Sequence, residues 1–220
     1  FKYSNIRNIY FPESLIELKD GWCNGTRELA QIIISPSNGQ FIFKEDKYLL
    51  CKSDNNNDEF DNLLFVNRDV KEISIPKNIK IISSFSFSNS KIEEILIPAN
   101  VSTICEFAFF ECTSLKKVEI PINSNLLTIE KFAFSKSKIE EIFIPQTVSK
   151  ICESAFNSCT NLKKVEIPTN SNLLTIEKFA FANSKIEEIL IPPNVLKICE
   201  NTFNSCTNLK KVEIPTNSNL

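Results

Sequence analysis

Apolar residues recur along this chain in a fixed grammar, apolar-x-x-apolar-x-apolar followed by proline. The pattern appears at Val70/Ile73/Ile75, Ile92/Ile95/Ile97, Leu115/Val118/Ile120 and Ile139/Ile142/Ile144, then at Leu162/Val165/Ile167, Ile186/Ile189/Ile191 and Leu209/Val212/Ile214. The closing prolines, Pro76, Pro98, Pro121, Pro145, Pro168, Pro192 and Pro215, are 22, 23, 24, 23, 24 and 23 residues apart. The alternation before each proline predicts a strand with one face buried. Proline ends it, because it has no N–H for the next ladder bond. A second buried cluster follows, as at Ile104/Ala108/Phe109, Ile129/Ala133/Phe134, Ile151/Ala155/Phe156 and Ile176/Ala180/Phe181. Ile82/Phe87 and Ile198/Phe203 extend the series at either end. It predicts a short second strand at the isoleucine, then one helical or 3-10 turn carrying the phenylalanine.

A period of 20–29 residues with this core is the signature of a leucine-rich solenoid. One rung cannot bury its own strand face and phenylalanine, so stacked rungs must share them, the phenylalanines forming one interior column. The expected fold is therefore an α/β, strand-rich, right-handed leucine-rich repeat superhelix. Its parallel main sheet, of about nine strands and roughly 40 Å long at ~4.8 Å per strand, is accompanied by short second strands and short helical turns.

Two repeat types alternate, giving a true unit of 47 residues. One reads ICExAFxxCTxLKKVEIP and the other NSNLLTIEKFAFxxSKIEEIxIP. Glu93/Glu94 should lie beside Lys116/Lys117, followed by Glu140/Glu141, Lys163/Lys164, Glu187/Glu188 and Lys210/Lys211. Each exposed cross-strand pair contributes about 0.2–1 kcal/mol, and a slip by one repeat would set Glu against Glu. The alternation reads as a register device or as the trace of a recent duplication.

The N-terminal part is less regular. Residues 1–36 read as irregular N-terminal repeats and 37–69 as an inserted β-hairpin, with Phe41–Phe43 and Tyr48–Leu50 flanking a polar turn. Residues 70–220 form the regular array, and the chain reads as one solenoid. Asp54–Asp58 is expected to be an exposed loop. Both ends fall in mid-repeat, which points to a piece of a longer chain or to an end that pairs with another molecule.

The frame I-x-x-A-F-x-x-C-x-x-L-x-x-V-x-I-P matches at Ile104–Pro121, Ile151–Pro168 and, with Thr202 for Ala, Ile198–Pro215. It resembles the BspA-like leucine-rich repeat family, over nearly the whole chain, and the hairpin at 40–66 resembles one that interrupts such arrays. The resemblance implies a cell-surface or secreted protein that adheres to host cells, matrix proteins or other microbes. It carries over no catalytic residue and no cofactor. Cys105, Cys152 and Cys199 depart from the family by standing where glycine is usual, which bears on the turn geometry there.

Composition narrows the function. The net charge is −2, without the basic excess a nucleic-acid surface needs. Histidine, the commonest general base and metal ligand near neutral pH, is absent, and the three glycines form no phosphate loop. No apolar run approaches 18 residues, so this segment is not expected to insert into a membrane. An enzyme would need a unique polar cleft, whereas Glu106, Glu130, Glu153, Glu177 and Glu200 recur with the repeat and read as structural.

Eight cysteines include the pairs Cys105/Cys112, Cys152/Cys159 and Cys199/Cys206. In-rung disulfides, a metal site and buried thiols acting as small apolar residues are the three readings. Equivalent cysteines two rungs apart, ~9–10 Å, exceed the ~7 Å reach of a disulfide, and thiols are favoured. The expected docking surface is the outward strand face around Leu96, Lys117, Glu119, Phe143, Lys164, Glu166 and Leu190, taking a protein ligand such as a host matrix or cell-surface protein. End-to-end self-association is a further expectation, and an intracellular scaffold using the same face is the alternative. Asn24-Gly-Thr26 and Asn100-Val-Ser102 are N-glycosylation sequons.

Overall fold

The computed structural model describes residues 1–53 and 58–220. The polar loop expected at 54–58 lies, except for Asp58, outside the described residues. Among the described residues seventeen short strands form three sheets. β1 (Asn8–Phe11) and β2 (Gln31–Ile34) pair in parallel as a small separate sheet. β3 (Phe41–Lys44), β4 (Tyr48–Cys51) and β5 (Asn62–Val66) run antiparallel to one another.

From β5 onward every pairing is parallel. β6 (Ile81–Ile82), β8 (Thr103–Ile104), β10 (Thr128–Ile129), β12 (Lys150–Ile151), β14 (Thr175–Ile176) and β16 (Lys197–Ile198) continue the sheet begun by β3–β5, making nine strands. β7 (Glu94–Leu96), β9 (Lys117–Glu119), β11 (Glu141–Phe143), β13 (Lys164–Glu166), β15 (Glu188–Leu190) and β17 (Lys211–Glu213) form a six-stranded sheet on another side. The proline-terminated segments are those of this six-stranded sheet.

Two expectations change here. The main sheet has six strands, not nine, because Val70–Ile75 forms no strand and β1 and β2 sit in a sheet of their own. The chain upstream of Val70 has entered β3–β5, which belong to the other sheet, so Val70–Ile75 has no neighbour on that side. The second correction concerns the phenylalanine-bearing segments. No helix or 3-10 turn occurs among the described residues.

Those segments are instead chains of β-turns. In one rung Ala108, Phe110 and Cys112 donate to carbonyls three residues back, Cys105, Phe107 and Phe109. The intervening amides, those of Phe107, Phe109 and Glu111, point along the solenoid axis to the carbonyls of Lys131, Ala133 and Ser135 in the next rung, at 2.7–3.0 Å. Alternate N–H groups thus close the turn and bind the next rung, so the turn stack is hydrogen-bonded as a sheet would be. This alternation requires left-handed backbone at Phe107 (φ 57°) and Glu111 (φ 56°), repeated at Phe132 and Lys136, Ser154 and Ser158, and Phe179 and Asn183. Cys105 is not among the left-handed residues, so the turn needs no glycine there.

Phe87, Phe109, Phe134, Phe156, Phe181 and Phe203 stack in one interior column. Centroid spacings run from 4.6 to 5.7 Å and planes lie within 15° of parallel. The first five are fully buried, and Phe203 is partly buried in the last rung. Each buried ring contributes roughly 1.5–3 kcal/mol of transfer free energy. A second, half-buried column, Phe85–Phe107–Phe132, stacks outside it at 4.8 Å, with Phe110 edge-on to Phe107.

A smaller core of Phe11, Cys23, Leu29, Phe41, Leu49 and Phe65 fills the N-terminal part. Arg68 joins it to the main array. Its buried guanidinium donates to the carbonyls of Ser86 (2.7 Å) and Phe85 (3.0 Å) and lies 4.6 Å from the Phe65 ring centroid.

Candidate functional site

The six-stranded sheet places one residue of each strand inward and its two neighbours outward. Ile95, Val118, Ile142, Val165 and Ile189 are buried, while Val212 in the last rung is exposed. Parallel register aligns the outward residues into two rows. The first row is Glu94, Lys117, Glu141, Lys164, Glu188, Lys211. The second, two residues further along each strand, is Leu96, Glu119, Phe143, Glu166, Leu190, Glu213. All seven residues expected to form the docking surface therefore share one face.

The charge ladder has the expected register but different ion pairs. Lys117 pairs with Glu119, Lys164 with Glu166 at 3.1 Å and Lys211 with Glu213 at 2.6 Å, each within its own strand. The reason lies in the second row. Glu119 is flanked by Leu96 and Glu166 by Phe143, so each glutamate finds its cation on its own strand. The contacts with Glu119 and Glu166 raise the pKa values of Lys117 and Lys164. Cross-strand pairs survive only beside the strands, at 3.9 Å for Lys116–Glu93 and 3.8 Å for Lys210–Glu187. Glu94, Glu141 and Glu188 form no ion pair within 4 Å among the described residues. Sequence reasoning placed these three carboxylates in the ladder beside the lysines, but not their lack of a close ion pair, which depends on which way each lysine turns.

Leu96 is 56% exposed, and Phe143 and Leu190 are half-buried. A shallow trough of about 460 Å³ runs across β7, β9, β11 and β13, with Leu96 and Phe143 on its walls and Lys117, Glu119, Lys164 and Glu166 between and beside them. A similar trough of about 430 Å³ spans β13 to β17 around Leu190.

The other singled-out groups do not converge on this face. Glu177 binds Lys150 at 2.9 Å and accepts from the Glu153 amide at 2.8 Å, while Glu153 binds Lys178 at 3.2 Å. These carboxylates tie neighbouring rungs together. All eight cysteines are unpaired. Cys112, Cys159 and Cys206 point inward and donate to the carbonyls of Phe87, Phe134 and Phe181 at 3.0, 3.1 and 3.1 Å. Each lies beside a serine of the preceding rung, Ser90, Ser137 or Ser184. Burial pushes the Cys112 thiol up to about 11 and that of Cys159 to about 12. Of the sequons, Asn100 is exposed and donates to the Lys77 carbonyl at 2.9 Å. Asn24 is half-buried, and Thr26 is sealed, donating to the Cys23 carbonyl at 2.7 Å.

Parallel strands recurring at 22–24 residues around an aromatic interior define a leucine-rich repeat solenoid. The model of the BspA type leucine-rich repeat region matches in six copies over residues 1–53, 39–142 and 127–220, and the chain belongs to that family. Solved structures share the fold. The pneumococcal vaccine antigen PcpA is 23% identical, with a TM-score of 0.64, over 81% of this chain and 51% of its own. A leucine-rich cell surface protein from Faecalibacterium prausnitzii is 23% identical, with a TM-score of 0.54, over 81% and 52%. A leucine-rich repeat protein from Eubacterium ventriosum is 20% identical, with a TM-score of 0.66, over 90% and 58%. The chain thus spans between half and three-fifths of these neighbours. No protein of curated function matches its sequence. Among the described residues no helix is long and apolar enough to cross a membrane.

Proposed function

We propose that the chain is an adhesion module, secreted or displayed at a cell surface, that holds a protein partner on the outer face of its six-stranded sheet. One observation carries the reading. Leu96, Phe143 and Leu190 stand on the outward strand surface in register with charged residues, one on every second strand, so that they form a regular apolar row among polar neighbours. Lys117, Glu119, Lys164 and Glu166 form the polar surround of that row. The names of two structural neighbours, a vaccine antigen and a cell surface protein, support the surface assignment. Of the two sequons, Asn100 would carry a glycan without repacking, because it is exposed.

The test is a binding screen of the chain and its Phe143→Glu variant against purified extracellular-matrix proteins and cell-surface ectodomains. The reading expects a partner that Phe143→Glu loses while circular dichroism is unchanged. Equal binding by both proteins counts against this face.

An intracellular scaffold using the same face is the second reading. The eight unpaired cysteines favour it, since thiols persist in reducing compartments. Surface labelling of intact cells separates the two, detecting the protein outside in the first case and missing it in the second.

A further inference from the structure

The docking face is periodic, and its period constrains what fits. Each 47-residue unit puts Glu93, Glu94 and Glu119, or their equivalents, against Lys116 and Lys117, leaving one surplus carboxylate. Lys117 contacts Glu119 and Lys116 contacts Glu93, while Glu94 and Glu141 act on Lys117 only through space. The carboxylate of the first unit without a close ion pair is therefore Glu94, and Glu141 and Glu188 stand likewise in the later units, where Glu140 of the second unit also makes no ion pair within 4 Å among the described residues. Each unit also presents one apolar side chain, Leu96, Phe143 or Leu190, two positions along the same strand. These couples recur every second strand, about 9.6 Å apart at ~4.8 Å per strand. A complementary ligand needs one apolar group and one cation per ~9.6 Å along the solenoid axis.

Peptide conformations differ sharply against this ruler. A β-strand turns residues i and i+3 to opposite faces, so a three-residue repeat cannot keep to one side. An α-helix returns to the same face after seven residues, roughly 10.5 Å, and drifts by almost 2 Å between Leu96 and Leu190. A polyproline II helix has three residues per turn and ~3.1 Å rise, so every third residue faces the same way at ~9.3 Å. It also arrives with little conformational freedom to lose, and aromatic surfaces such as Phe143 suit it.

Building on the adhesion reading, we propose that the face takes a basic, extended segment in the polyproline II conformation lying along the solenoid axis. In that segment an apolar and a cationic side chain recur every third residue. The apolar residues sit against Leu96, Phe143 and Leu190, and the cations lie over Glu94, Glu141 and Glu188. The third residue of each triplet points to solvent and serves only to hold the conformation.

The test is fluorescence anisotropy of labelled peptides titrated with the whole chain at low salt. A Leu-Lys-Pro repeat should bind about tenfold or more tighter than Leu-Glu-Pro, than the four-residue repeat Leu-Lys-Pro-Pro, and than a helical heptad peptide of equal charge. Its binding should weaken with added salt, and Glu141→Lys should weaken it about tenfold. Equal binding of the four-residue repeat or the heptad, or an unaffected Glu141→Lys variant, overturns the proposal. If matrix or cell-surface partners still depend on Phe143 while Leu-Lys-Pro does not bind, this inference fails alone. If those partners ignore Phe143→Glu, the face itself fails.

Discussion

The rings of Phe134 and Phe156 lie 5.3 Å apart and 2° from parallel, although their residues belong to different rungs. Both rings are fully buried, each stacked between the rings of the rungs on either side. Phe156→Ala therefore opens a void against both Phe134 and Phe181. Urea denaturation should show a loss of about 3–5 kcal/mol, and a near-neutral result would mean the column is not the core.

The left-handed turn residues give a test with opposite signs at one position. Ser158 has φ 60° and its amide donates to Ala182 in the next rung at 2.8 Å. Left-handed backbone costs a residue with a Cβ roughly 1–2 kcal/mol, a cost glycine escapes. Because glycine also gives up the Ser158 hydroxyl's 2.8 Å bond to Asn157, Ser158→Gly should leave the unfolding free energy unchanged or raise it by up to about 1 kcal/mol, and Ser158→Val should lower it. A more stable valine variant would contradict the turn geometry.

Cysteine reactivity reports on rung opening. With its pKa pushed up to about 12 by burial, Cys159 stays a thiol at pH 8. Alkylation at that pH should leave Cys112 and Cys159 unmodified in the native chain and label both in urea. Mass spectrometry reads the sites directly, and rapid native labelling of Cys159 would place it outside the core.

Acid should act through Asp61. Burial raises its pKa, but hydrogen bonds from Ser53 and Lys80, the latter at 3.0 Å, outweigh that and hold it below the ordinary carboxylate value. A lowered folded-state pKa contributes stability above the unfolded value, about 3.9. That contribution is lost as pH falls through the folded value. The stability difference between the wild type and Asp61→Asn should be largest above pH ~5 and shrink below pH ~4. A difference that grows with acid would reverse the assignment.

The strand-ending prolines and the recurring isoleucine and phenylalanine sufficed to place the rungs and the buried column, because both follow from a side-chain period that any stacked rung must obey. The turns were harder to read. Left-handed backbone usually announces itself through glycine or asparagine, and here Phe107, Phe132 and Ser154 adopt it, driven by hydrogen bonds between rungs that no single repeat displays. The outer column Phe85–Phe107–Phe132 escaped notice for the same reason, since its residues look like solvent-side turn positions. At the docking face, row membership was legible from alternation. That Glu141 makes no close ion pair was not, because it depends on Lys117 and Lys164 turning toward Glu119 and Glu166.

The docking face is tested most directly by carboxyl footprinting with a water-soluble carbodiimide, on the chain alone and saturated with a purified matrix or cell-surface partner. Glu94, Glu141 and Glu188 should lose labelling on binding, while Glu106 and Glu200 on the turn side keep theirs. Protection of Glu106 and Glu200 with Glu141 and Glu188 still labelled would put the partner on the opposite side and contradict the account.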